Sequence, residues 1–397
     1  MSSIEALSRP KKIVVLLMAI AFFAALIITC LELTSYFLLS TIYKVKHSNS
    51  LSLAEYVISK PLAFKNAEDF EEIKLLWSEK TDCPQNRIIS NSTIDFPMYE
   101  DRNVFCNGPE TISNGLRTTV EVPKESDKKI LFFGGSTVWG TGSADRNTIP
   151  SLVQIKLNES GRNYAVQNHG FSTVVISQQL RLLKSLDISK GDIVIFYDGG
   201  NDVWNSVVSG NPNGSIIGYN ERNLFEIILN RSRFFLSIHS NTYKLLGAVK
   251  SGRNQNGSNS CLKLEEGVVR KRADAGFEVY YQSALDAKHY VEEREGIFFH
   301  FMQPTLVSSL PLSNDEYDLI NAMPMEMKCG IDVYQSGYEI YKNKYKATKS
   351  AINGVDLSNF LHGPKNDGAY FFDYIHISSP GNKIIAEQIY QKIPDDH

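Results

Sequence analysis

The sequence has little charge imbalance, no visible internal repeat and few cysteines, and each shortage removes a class of function. A formal net charge of −3 over 397 residues gives a polyanion no electrostatic foothold, so nucleic acid is not an expected partner. No Gly-Lys-Ser/Thr follows the glycine pair Gly134-Gly135, so the phosphate cradle of the nucleotide-binding loop is missing. The elbow Gly-x-Ser-x-Gly of α/β-hydrolases fails as well, because the residue two after Ser136 is Val138 rather than glycine. Histidines fall singly, among them His169, His239, His289, His300 and His362, without the clustering that a metal site requires. Neither a metal nor a cofactor is therefore expected.

One long uncharged run stands against these shortages. Ile13 to Leu31 carries no charged residue; as a helix it would be about 28 Å long, close to the thickness of a bilayer's hydrocarbon core. Arg9, Lys11 and Lys12 precede it and Glu32 follows, which predicts a cytoplasmic stretch 1–12, an anchor over 13–39, and everything downstream on the periplasmic or extracytoplasmic side. A cleaved signal peptide would have a shorter apolar core of roughly 7–15 residues. Of the five cysteines, Cys30 lies in this run, leaving Cys83, Cys106, Cys261 and Cys329 beyond it. An even number there suits disulfides, and chain order suggests Cys83 with Cys106 and Cys261 with Cys329; the alternative is four free thiols. Asn91, Asn158, Asn213, Asn230 and Asn256 each open an Asn-x-Ser/Thr triplet, a pattern common by chance.

Residues 40–127 read as a stalk and a cap segment with one helix near 68–77. From residue 128 to the end, short apolar runs alternate with amphipathic stretches. The runs are Ile130–Phe133, Tyr164–Gln167, Asp192–Tyr197 and Ile297–Met302; the stretches are 143–158, 177–185 and 265–293. That alternation predicts an α/β fold, a parallel sheet with helices on both faces in a three-layer sandwich. Insertions are expected near 205–296, which includes the Gly/Asn/Ser-rich linker 251–260, and near 304–368.

In such a fold, chemistry collects at the carboxyl ends of strands. The first run stops at Gly134-Gly135-Ser136-Thr137, the second at Asn168-His169-Gly170, the third at Asp198-Gly199-Gly200-Asn201-Asp202, and Asp373-Tyr374-Ile375-His376 stands near the C-terminus. Each could be an ordinary turn. Together they supply a nucleophile, a base, a carboxylate to orient the base, and donors for an oxyanion.

These four blocks, in this order, resemble the SGNH (GDSL-like) hydrolase superfamily over about residues 128–393, with glycine at Gly135 where many members have aspartate. Ile377-Ser378-Ser379-Pro380-Gly381-Asn382 before the last helix and Asn114-Gly115-Leu116-Arg117 upstream also look like the family, and Phe301-Met302-Gln303-Pro304 resembles a strand-end phrase of its membrane-anchored bacterial members. The resemblance implies a triad of Ser136, Asp373 and His376, with the N–H groups of Ser136 and Gly170 and the Asn201 amide as oxyanion donors. It implies an esterase acting on acyl esters; the expected membrane anchor makes O-acetyl on a cell-surface glycan the favoured substrate. An O-acyltransferase using the same triad, and a non-catalytic anchored scaffold, are the alternatives. His169, beside Gly170, is a candidate for substrate contact.

Overall fold

In a computed structural model of the chain, the residues described are 111–211, 263–308, 328–361 and 370–395. To these are added strands β1 (Ile88–Asn91) and β2 (Phe96–Tyr99) and the single positions 23, 29, 31, 32, 34, 312, 317 and 319–321. Contacts divide the chain into two units, residues 1–52 with 221–260, and residues 53–220 with 261–397. In the first, Phe23, Thr29, Leu31, Glu32 and Thr34 are helical. Among the described residues no helix is long and apolar enough to cross a membrane. The expected anchor lies largely outside them, as do the helix near 68–77, the linker 251–260, and Cys83, Cys106 and Cys261. Cys329 is disulfide-bonded, so four free thiols is not the arrangement.

The second unit is built on a seven-stranded sheet. Its edge is a hairpin, β3 (Ile112–Ser113) and β4 (Leu116–Arg117), whose two turn residues Asn114 and Gly115 have φ of 54° and 73°, both positive as a type I′ turn requires. Arg117 of β4 pairs antiparallel with Asn168. This hairpin was expected in the preceding cap segment and is instead part of the sheet. Strands β5 (Lys128–Gly134), β6 (Tyr164–Asn168), β7 (Ile193–Asp198), β8 (Ile297–Met302) and β9 (Gly354–Asp356) follow, all parallel. Every residue of β7 is buried, as a strand covered on both faces demands.

The helices of the described residues are α1 (Ser136–Trp139), α2 (Ile149–Glu159), α3 (Ile176–Leu183), α4 (Gly200–Val203), α5 (Glu266–Glu292), α6 (Ile331–Thr348) and α7 (Ser379–Tyr390). The chain steps from β5 outward to β6, then back across to β7, β8 and β9. Right-handed crossovers put α2 on one face and α3, α5 and α6 on the other. Contacts agree: α5 packs on α3 and α6, and α7 packs on α2. The order β6-β5-β7-β8-β9 reverses direction at β5, and in such sheets ligands bind outside the carboxyl ends at that reversal, between β5 and β7.

Two expected insertions shrink accordingly. Most of the second half of 205–296 is α5, a regular crossover helix, and 304–368 contains α6 and β9. Helix α6 hides its apolar stripe in Tyr334, Tyr338, Tyr341 and Tyr345, all fully buried, a spacing of helical period written in a residue that reads as semi-polar. Strand β9 is only three residues long, too short for an alternation to show.

Asp192, fully buried at the foot of β7, accepts from the N–H groups of Lys129 (2.8 Å) and Ser189 (2.9 Å). It thereby ties β5 and the preceding turn to β7. Asp192→Ala strands both donors and should cost about 2–3 kcal/mol, read as a lower urea midpoint, while the folded fraction keeps its site intact.

Candidate active site

Strand β5 delivers Ser136 to the reversal point. Gly134 and Gly135 are needed there for space rather than for an unusual φ, since Gly135 has φ −79°. A Cβ on Gly134 would sit 2.3 Å from Val138 Cγ2 and 2.4 Å from the Tyr197 carbonyl oxygen, and one on Gly135 would sit 2.5 Å from Asn201 Nδ2. The missing side chains let β5, the α1 turn and the Asn201 amide close on one another. Ser136 is the first residue of α1, so its N–H is among those a helix leaves without an internal acceptor.

The Asp373–His376 turn approaches from the C-terminal side. Asp373 Oδ1 accepts from the backbone N–H of both Ile375 and His376, at 2.8 Å each. This folds the four residues back on themselves, and leaves Oδ2 for His376 Nδ1 at 2.7 Å. His376 Nε2 then stands 2.6 Å from Ser136 Oγ. A serine hydroxyl, an imidazole and a carboxylate 240 residues apart at their extremes are in one hydrogen-bonded line, the construction of a serine hydrolase triad.

Electrostatics sort the charges. Burial lowers the pKa of His376, but the Asp373 charge and its hydrogen bond outweigh that, and the net shift is upward. Burial acts to raise Asp373; the facing imidazole and the donated hydrogen bonds more than offset it, and its carboxyl is held low. Asp373 therefore stays ionised and orients the ring, while His376 is a stronger base than a free imidazole.

Asn201 lies on α4 at the end of β7, directly across from Gly135. Its Nδ2 donates one hydrogen to the Val174 carbonyl at 2.9 Å, which fixes the amide and leaves the second hydrogen for another acceptor. The next residue, Asp202, accepts from the Ile176 N–H at 3.0 Å, so consecutive side chains grip the stretch 174–176. Burial, then the charge of Asp198, push the Asp202 carboxyl well above its ordinary range. Trp204, in the π-helical turn Trp204–Val208 that follows, packs on Tyr374 with ring centroids 5.0 Å apart. A Cβ on Gly200 would meet Ile375 Cδ1 at 2.4 Å. The Asn201 turn and the His376 turn are thus seated on each other.

Two expectations require correction. The Gly170 N–H, expected to face an oxyanion, donates to Asn168 Oδ1 at 2.9 Å, while Asn168 Nδ2 donates to the Val138 carbonyl at 2.8 Å. Gly170 is glycine because it lies against α1, where a Cβ would be 2.4 Å from the Trp139 nitrogen. His169 is buried, stacked on Phe133 at 5.1 Å, with Nε2 3.0 Å from Gln167 Oε1. Burial, aided by Lys129, lowers its pKa to about 4; it is a neutral core histidine. His300 is likewise interior, between Asp198 Oδ1 (3.1 Å) and the Tyr345 hydroxyl (2.8 Å), and His289 is exposed on α5. His239 and His362 lie outside the described residues. Among the described residues, no group of His, Cys, Asp or Glu is placed to hold a metal ion.

No family model matches the chain, and no curated protein does. Solved structures similar to it include TesA, 14% identical over 66% of this chain and 98% of that one, TM-score 0.36. A member of the lipolytic protein G-D-S-L family from Veillonella parvula DSM 2008 is 12% identical over 67% and 97%, TM-score 0.34. Axe2, an acetylxylan esterase from Geobacillus stearothermophilus, is 15% identical over 68% and 96%, TM-score 0.35.

Thr173, beside the gripped stretch, has φ 66°, a left-handed conformation that a β-branched residue resists at a cost of about 1–3 kcal/mol. Thr173→Gly removes that strain and adds back roughly 0.4–1 kcal/mol of unfolded-chain entropy, so a net gain of about 1 kcal/mol should appear as a higher melting temperature.

Proposed function

We propose that this chain is a serine esterase cleaving acyl esters through an acyl-serine intermediate. One observation carries the proposal: Ser136 Oγ lies 2.6 Å from His376 Nε2, while His376 Nδ1 lies 2.7 Å from the Asp373 carboxylate. Ser136 Oγ attacks the ester carbonyl carbon as His376 takes its proton. His376 then protonates the departing alkoxide as the C–O bond breaks, leaving acyl-Ser136 and a free alcohol. Water, deprotonated by the same imidazole, attacks the acyl carbon; the carboxylic acid leaves and Ser136 regains its proton. The oxyanion of each tetrahedral intermediate is served by the Ser136 N–H at the head of α1 and by the second hydrogen of Asn201 Nδ2. Gly170, whose N–H is engaged by Asn168, is left out of that set.

The finer reading is an O-acetyl esterase of cell-surface glycans, anchored through residues 13–39 with the site on the extracytoplasmic side. The uncharged run before Glu32 and the disulfide at Cys329, which persists in an oxidising compartment, support that placement. An O-acyltransferase differs only in that a sugar hydroxyl, rather than water, intercepts acyl-Ser136.

Ser136→Ala and His376→Ala should abolish turnover of a simple aryl acetate. Asn201→Ala should lower kcat by about 10²–10³ with the fold intact; retention of full activity in Ser136→Ala contradicts the proposal. Incubation with acetylated polysaccharide separates the finer readings: acetate freed without an acceptor marks a hydrolase, and an acetyl group moved onto the hydroxyl of an added glycan without release of acetate marks a transferase. Because His376 must be neutral to accept a proton and its pKa is raised, kcat/KM should climb with pH through an apparent pKa higher than that of a free imidazole. Asp373→Asn, which removes the raising charge, should slow the reaction and move that midpoint down.

A further inference from the structure

The upstream motif Asn114-Gly115-Leu116-Arg117 has no part in the triad, yet it ends in a residue with a side chain of 0% exposure carrying a full charge. Arg117 Nε lies 2.6 Å from Asp145 Oδ1, and Arg117 Nη2 donates to the Ser143 carbonyl at 2.7 Å. Its guanidinium stands 5.9 Å from the centre of the Trp139 ring, and Trp139 closes the short helix that Ser136 opens. Asp145 also takes the Thr111 N–H, at 3.0 and 3.1 Å to its two oxygens. One guanidinium thus fastens the loop 142–147 to the hairpin edge and to the nucleophile's helix.

The same loop is the seat of the other half of the triad. Asn382 Nδ2, six residues beyond His376, donates to Ser143 Oγ at 3.0 Å and to the Asn147 carbonyl at 2.9 Å. On the near side a Cβ on Gly142 would lie 2.4 Å from the ring of Phe372, the residue before Asp373, and the Phe372 N–H donates to the His376 carbonyl at 3.0 Å. Both flanks of Asp373–His376 therefore rest on residues 142–147. A buried ion pair is no better than apolar packing for stability. What a guanidinium offers here is a rigid fork that serves two acceptors at fixed angles, which neither an apolar chain nor a lysine can do.

We propose that the Arg117–Asp145 pair is a positioning device for the reaction assigned above: it holds loop 142–147 so that the Asp373–His376 turn sits within proton-transfer distance of Ser136. The inference rests on the esterase reading. It predicts a loss in the chemical step and not in binding, because the device acts on the Ser136–His376 separation and leaves the Asn201 side of the site untouched.

The test is the kinetics of covalent labelling of the full chain by a fluorophosphonate, in which the Ser136 Oγ–P bond forms, the P–F bond breaks, fluoride leaves and His376 takes the serine proton. In Arg117→Met the rate constant at saturating probe should fall about 10-fold or more, with the half-saturating concentration within about twofold of wild type. Arg117→Lys, which keeps the charge but lacks the planar fork that fixes both donor angles, should fall in between, and Arg117→Ala should regain rate on addition of ethylguanidinium. A folded Arg117→Met that labels at the wild-type maximal rate, or that changes only the half-saturating concentration, overturns the proposal. Should Arg117→Met fail to fold, Asn382→Ala decides in its place: the same loss of maximal rate supports the device, and a wild-type rate overturns it. Absence of labelling in the wild-type protein is a separate result, which defeats the esterase reading itself.

Discussion

The short contact between Ser136 Oγ and His376 Nε2 exists because three turns come closer together than side chains would allow. Gly134 admits Val138 and the Tyr197 carbonyl, Gly135 admits the Asn201 amide, and Gly200 admits Ile375. Filling any one of these places with a methyl group would push apart a pair of the elements that carry nucleophile, oxyanion donor and base. The chemistry of the site is thus written first in close packing, and only then in the three polar side chains.

The sheet supplies the frame for this approach. Parallel register sets Gly134 beside Tyr197 and Asp198 beside Met302, so the strand ends finish in line. The reversal of strand order at β5 opens a crevice there. Ser136 and Asn201 occupy its two sides because they are the residues that follow β5 and β7. The base and its carboxylate come from no strand at all. They ride on a turn closed by Asp373 Oδ1 and braced on one side by the Trp204 ring and on the other by loop 142–147.

Much of this was legible in the sequence, and for identifiable reasons. The buried strands β5 and β7 carry continuous apolar runs over Ile130–Phe133 and Ile193–Tyr197, and β8, interrupted only by His300, falls on Ile297–Met302 as the run predicts. The long helix α5 shows its amphipathic period, and the polar residues stand where apolar runs stop. The parts that stayed hidden have their signal elsewhere. Tyrosine carries the buried stripe of α6, so periodicity in aliphatic residues misses it, and β9 is too brief to alternate. A glycine matched by motif, Gly170, says nothing about where its N–H points; that is decided by Asn168 two residues back. The Arg117–Asp145 pair joins positions 28 apart with no spacing rule to announce it, and only burial in three dimensions reveals it.

The central claim is that one hydroxyl in this chain is a nucleophile because of the imidazole placed beside it. Peptide-level mass spectrometry of the full chain after fluorophosphonate treatment tests this most directly. The account predicts a single phosphonate on the peptide containing Ser136, absent when His376 is replaced by alanine. A folded wild-type protein with no adduct, or with its adduct on another residue, would contradict it.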